Sequence, residues 1–128
     1  MTFQRTTIAD QPALVLDQAG PLLRSEVDAR DMIQETFGTD VELAVVPIER
    51  LDPDFFVLRT GVAGVFVQKL VQYRLRLAVV GDISAHVEAS DALRDWVREV
   101  NRGRDILFVP DVDALEARLK AEKFAGEA

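Results

Sequence analysis

Three short apolar runs, at residues 41–46, 77–81 and 106–109, constrain this chain more than any other feature, the first and last being halted by Pro47 and Pro110. The first becomes continuously apolar after Glu42 and the other two are apolar at successive positions, as expected of strands buried on both faces inside a parallel sheet. Segments of helical period lie between and after them. In residues 61–74, Val62, Ala63, Phe66, Val67, Leu70, Val71 and Tyr73 fill a broad helical arc and leave Gln68, Gln72 and Gly64 on a narrow opposite face. A helix that apolar is expected to be mostly buried. Ser90 is placed to cap a further helix with Leu93, Trp96, Val97 and Val100 as its stripe and Gly103 as its stop. Asp111 is placed to cap a last one, in which Val112, Leu115 and Leu119 recur at helical spacing.

The N-terminal part reads differently. Residues 3–9 are rich in β-formers and partly polar, which suits an edge strand, and Asp10-Gln11-Pro12 supplies a turn into a second strand from residue 13. Ser25 with Asp28 three residues later resembles a capping box for a helix that places Ala29, Met32, Ile33, Thr36 and Phe37 on one face, and Gly38 can end it. The order is two strands, then helix and strand in alternation. The expected fold is therefore α/β, a mostly parallel sheet of about five strands with an N-terminal antiparallel hairpin and four helices.

Length and composition narrow the function. The 128 residues fit one domain, expected to span 1–128 with a core over about 3–123. With no cysteine and a single histidine, thiolate chemistry, cysteine-ligated metals and multi-histidine metal sites are excluded, so no metal and no cofactor are expected. The formal net charge of −7 argues against nucleic acid or an anionic membrane as a partner. No targeting signal is read at the N-terminus and no apolar run has the length of a membrane span, so the expected compartment is the cytoplasm.

That charge is unevenly distributed. Residues 1–54 carry 4 basic and 11 acidic side chains, and residues 82–128 carry 7 and 11. Between them, residues 55–81 hold Arg59, Lys69, Arg74 and Arg76 and no acid. Read functionally, this segment is an anion site or a docking surface for an acidic partner. The plainer alternative is that Arg74 suits a helix C-terminus, while Lys69 and Arg59 are solvated heads on stems that cover apolar surface.

The run from Phe55 through Thr60 and Gly61 to Gly64, followed by Gln68-Lys69, Tyr73-Arg74, Leu77-Ala78, Gly81-Asp82, Leu93-Arg94-Asp95-Trp96 and Asn101-Arg102-Gly103, resembles a family of small bacterial proteins of unknown function. The resemblance covers roughly residues 10–120 and implies no activity. Val57 and Val65 stand where that pattern leads one to expect acidic residues. More distantly, the element order and the Thr-Gly start of an apolar helix resemble the STAS domains of anti-sigma-factor antagonists. In those domains the serine of an Asp-Ser-Ser-Gly turn is phosphorylated by a partner kinase. The resemblance implies Thr60 as the matching switch, although Leu58 and Arg59 replace the first two residues of that turn, and the plainer alternative is that Thr60 simply caps residues 62–63.

Each remaining candidate has a plain structural alternative. Gly61 and Gly64 either let a phosphate approach the backbone or let a helix pack closely. Asp82 lies at the carboxyl end of a strand, where ligands bind, and is equally suited to capping a turn. His86 is either an acid–base group or an exposed loop histidine in the polar stretch 82–90. Arg94, Arg98 and Arg102 form a helical stripe that could grip an acidic partner, or pair with neighbouring Asp95 and Glu99. The expected function is a non-enzymatic regulatory or protein-interaction module with a protein partner, possible switching being at Thr60. The alternative is a small-ligand or anion site, or a weak hydrolase, at the sheet's carboxyl edge near Arg59, Asp82 and His86. A third expectation is a homodimer through the apolar arc of 61–74.

Overall fold

The computed structural model describes residues 3–127, with side chains through residue 123. Strands β1 (Phe3–Ile8) and β2 (Gln11–Leu16) form an antiparallel hairpin, and β3 (Leu43–Pro47), β4 (Arg76–Val80) and β5 (Ile106–Val109) extend it in parallel. The spatial order is β1-β2-β3-β4-β5, the order of the chain. The expected α/β architecture is present, parallel strands and hairpin included.

A sheet that grows always in one direction by right-handed crossovers must carry its crossover helices on one face. Helices α1 (Glu26–Gln34), α2 (Val62–Gln72) and α4 (Asp91–Val100) lie there. Ala29, Met32, Ile33, Ala63, Phe66, Leu70 and Leu93 pack on Leu14, Leu16, Ala44, Val46, Leu77 and Val79. The alternate residues Ala13, Leu43, Val45, Ala78 and Leu107 point to the other face, where Leu115 and Leu119 of α5 (Val112–Glu127) cover them.

Several local expectations change. The hairpin turn is Ala9-Asp10, both at positive φ (49° and 67°), and Gln11 and Pro12 already belong to β2. A two-residue turn of that hand matches the twist of the strands. Pro12 is tolerated because β3 pairs only from Ala13 onward, so no ladder bond to β3 needs its missing N–H. Helix α1 stops at Gln34, and Phe37, expected on its buried face, is 62% exposed against Tyr73. The Thr36 hydroxyl donates to the Ile33 carbonyl at 2.7 Å, and Gly38 at φ +76° turns the chain. Stretch 82–90 is not a loop: it contains a fifth helix, α3 (Ser84–Ala89), started by the Asp82 carboxylate, which accepts from the Ser84 N–H at 2.9 Å. Ser90 and Asp111 cap α4 and α5 as expected, Ser90 Oγ accepting from Leu93 N–H and Asp111 Oδ1 from Ala114 N–H. Gly103, expected to stop α4, lies beyond its Asn101 C-cap and is not at positive φ. Among the described residues, no helix is long and apolar enough to cross a membrane.

Candidate functional site

Between β3 and α2 the chain makes three single 3-10 turns, Ile48–Arg50, Pro53–Phe56 and Leu58–Thr60. The first is anchored by Arg50, only 1% exposed, whose guanidinium donates to the carbonyls of Asp17 and Pro21 at 2.9 Å each. Asp52 caps the second turn by accepting from Asp54 N–H, and Phe55 and Phe56 point inward. Phe55 meets Phe56, Phe66 and Trp96 edge-on, tying the segment to α2 and α4.

Thr60 closes the third turn. It is exposed, yet its Oγ1 lies 2.8 Å from both the Asp54 and the Val57 carbonyls and accepts from the Val62 N–H at 3.3 Å. One hydroxyl proton therefore serves two carbonyls of the turn while the oxygen receives the first amide of α2. The N-cap itself is Gly61, at φ +79°, a conformation that favours glycine. A β-carbon on Gly61 or Gly64 would meet nothing within 4 Å, so neither glycine serves close helix packing.

Beside this segment lies a cleft of about 410 Å³, lined by Phe56, Leu58 and Arg59 on one side and by His86, Ser90 and Ala92 on the other. His86 is fixed by stacking on Phe56, with ring centroids 4.2 Å apart. Arg59 and His86 thus share a cleft, and Asp82 does not join them. It lines a separate depression with Asn101 and Pro110, and hydrogen bonds from the Ser84 side chain and N–H hold its carboxyl below the usual aspartate range.

The cationic segment does not converge. Arg59 precedes α2 and Arg74 follows it, separated by the length of an eleven-residue helix, about 16 Å. Lys69 pairs with Glu26 at 3.5 Å and lies over the Tyr73 ring. Arg76 is buried at the other end of the sheet, donating to the Arg104 carbonyl and pairing with Glu122 at 2.9 Å. Arg94 pairs with Asp91 at 3.4 Å and Arg102 with Glu99 at 4.0 Å on the exposed face of α4. Helix α2 is also less buried than its composition implies, since Val65, Val71 and Tyr73 are 48%, 41% and 48% exposed.

Two anchoring residues escape sequence reading. Arg50 contacts a loop about thirty positions away, and only its apolar flanks Ile48 and Leu51 hint at burial. Asn101 accepts from Phe108 N–H at 2.7 Å and donates to the Phe108 carbonyl at 3.3 Å, which occupies the outer edge of β5. Its place in the Asn101-Arg102-Gly103 triplet was the available signal.

No curated protein and no solved structure matches this chain. The family model for the domain of unknown function DUF4180 matches residues 8–119, from the end of β1 into α5, and the chain belongs to that family.

Proposed function

We propose that this domain is a non-enzymatic, STAS-like regulatory module of the bacterial cytoplasm whose protein partner reads the 54–61 turns and the outer face of α2, with Thr60 as the switch. The observation that carries this reading is the triple engagement of an exposed hydroxyl, Thr60 Oγ1 with Asp54, Val57 and Val62. Phosphorylation by an ATP-dependent kinase forms an Oγ1–P bond, releases ADP and removes the hydroxyl proton. The ester oxygen then has nothing to donate to either carbonyl. The modification thus loosens the turn and adds negative charge at the start of α2, where backbone N–H groups favour it. Exposed Val57 and Val65 flank Thr60 in sequence and supply apolar contact for a partner. The order of elements and the Thr-Gly start of α2 support the STAS-like part of the reading.

A photo-crosslinking side chain at position 57, used in an extract of source cells, tests the proposal. Wild type and Thr60→Ser are expected to capture the same partner, and Thr60→Asp to lose it. A crosslinker at position 120, on the far helix, is expected to capture none of it. Equal capture by all three Thr60 forms would overturn the proposal.

A further inference from the structure

The cleft beside the 56–59 turn has a chemistry of its own. Its volume, about 410 Å³, lies in the range of small-molecule sites. Val57, Leu58, Ala89 and Ala92 make its walls apolar. Its polar lining includes Arg59, whose guanidinium only donates, and Ser90, whose oxygen already accepts from Leu93 N–H, leaving its O–H to donate. No carboxylate lines the cleft, although the chain carries net charge −7. Arg59 makes no ion pair among the described residues.

A ligand must therefore bring the acceptors and the negative charge. The planar guanidinium fork matches a carboxylate. One cation among apolar walls suits a monoanion with an apolar body better than a phosphate dianion, which needs more positive charge to replace its water. We infer that this cleft binds a small carboxylate with an apolar tail, its carboxylate on Arg59 and Ser90 and its tail between Leu58 and Ala92. His86, held by Phe56, forms the fixed edge of the site. This inference does not depend on Thr60 being modified, because the probes are applied to the unmodified chain.

The test is amide NMR titration of the purified full chain with hexanoate and phenylacetate, against hexanol, hexylamine and inorganic phosphate. Saturable shifts at 57–59 and 86–92 with the two carboxylates alone are expected. Arg59→Gln is expected to weaken that binding about tenfold, the order of one charge-assisted hydrogen bond. Ala92→Phe, on an exposed wall, is expected to abolish it while leaving the Phe108 amide shift unchanged, which reports an intact fold. Equal binding of hexanol, saturation by phosphate, or no saturable shift in these segments overturns the inference. So does full retention of binding by Arg59→Gln.

Discussion

The imidazole of His86 lies flat on the ring of Phe56, with centroids 4.2 Å apart and planes 11° from parallel. Phe56 is buried in the 53–56 turn, and α3 has no fully buried residue of its own. The stack is therefore a main fastening of α3 to the core, helped by the partly buried Ile83 and Val87. His86→Ala is expected to lose about 1 kcal/mol of stability, the usual worth of such a ring pair. His86→Phe is expected to keep most of it. Urea unfolding of the three proteins checks this, and an alanine variant as stable as the parent would deny the stack that role.

Gly20 packs against Arg50 in the same strict way. A β-carbon at Gly20 would lie 2.7 Å from the Arg50 Cζ, and Gly20 sits at φ +152°. The guanidinium cannot swing aside cheaply, because it is buried and bonded to Asp17 and Pro21. Gly20→Ala is expected to cost about 1–3 kcal/mol, from backbone strain and overpacking together. Gly64→Ala, with open space around it, serves as the control and is expected to be neutral or slightly stabilising in the same unfolding measurement.

Asn101 pairs with both backbone groups of Phe108 and so imitates a sixth strand along part of β5. Its removal leaves an edge open to pairing with another chain. Asn101→Ala is expected to lower stability by about 1–2 kcal/mol and to increase self-association with concentration. Asn101→Asp keeps the acceptor and sets a carboxylate against the Phe108 carbonyl, so it is expected to fall between parent and alanine in stability. Chemical unfolding and light scattering at several concentrations check both.

Asp82 is expected to titrate below the usual aspartate range, because the side chain and N–H of Ser84 bond its ionised form, against a smaller opposing effect of desolvation. A folded pKa below the unfolded one means that the contribution to stability is present above the unfolded value. It is lost as pH falls through the folded value. Carboxyl-carbon NMR is expected to find the Asp82 midpoint moving up toward the ordinary range in Ser84→Ala. An unmoved midpoint contradicts Ser84 as the cause.

The architecture was legible because its signals are local and repeated. The apolar runs around Val45, Val79 and Leu107 are each followed by a helical period, and right-handed crossovers then leave little choice of topology. The features that the sequence does not declare lie where tertiary contacts override local pattern. Phe37 carries an apolar side chain at a helical position, yet the Thr36 back-bond and Gly38 end the helix before it. Six-residue α3 is too short for periodicity to declare itself. For the candidate site, the sequence grouped Arg59 and His86 with Asp82, and the fold brings only the first two into one cleft. The separation of Asp82 was not legible, because it depends on Phe56 and α3 meeting in space. Nor could linear charge reveal that Lys69 and Arg76 are paired with Glu26 and Glu122.

If the Thr60 hydroxyl holds the turns before α2 in the form a partner reads, a phosphate on it must loosen them, and amide hydrogen exchange on the chain carrying phosphothreonine at position 60 measures that loosening. The Val57, Thr60 and Gly61 amides bond to the Asp54, Val57 and Leu58 carbonyls. They are expected to exchange about tenfold faster or more after modification, as local opening becomes cheaper by roughly one hydrogen bond. The Leu77 amide, inside the sheet, is expected to be unchanged. Equal exchange at positions 57, 60 and 61 with and without the phosphate would mean that the Thr60 hydroxyl does not hold these turns.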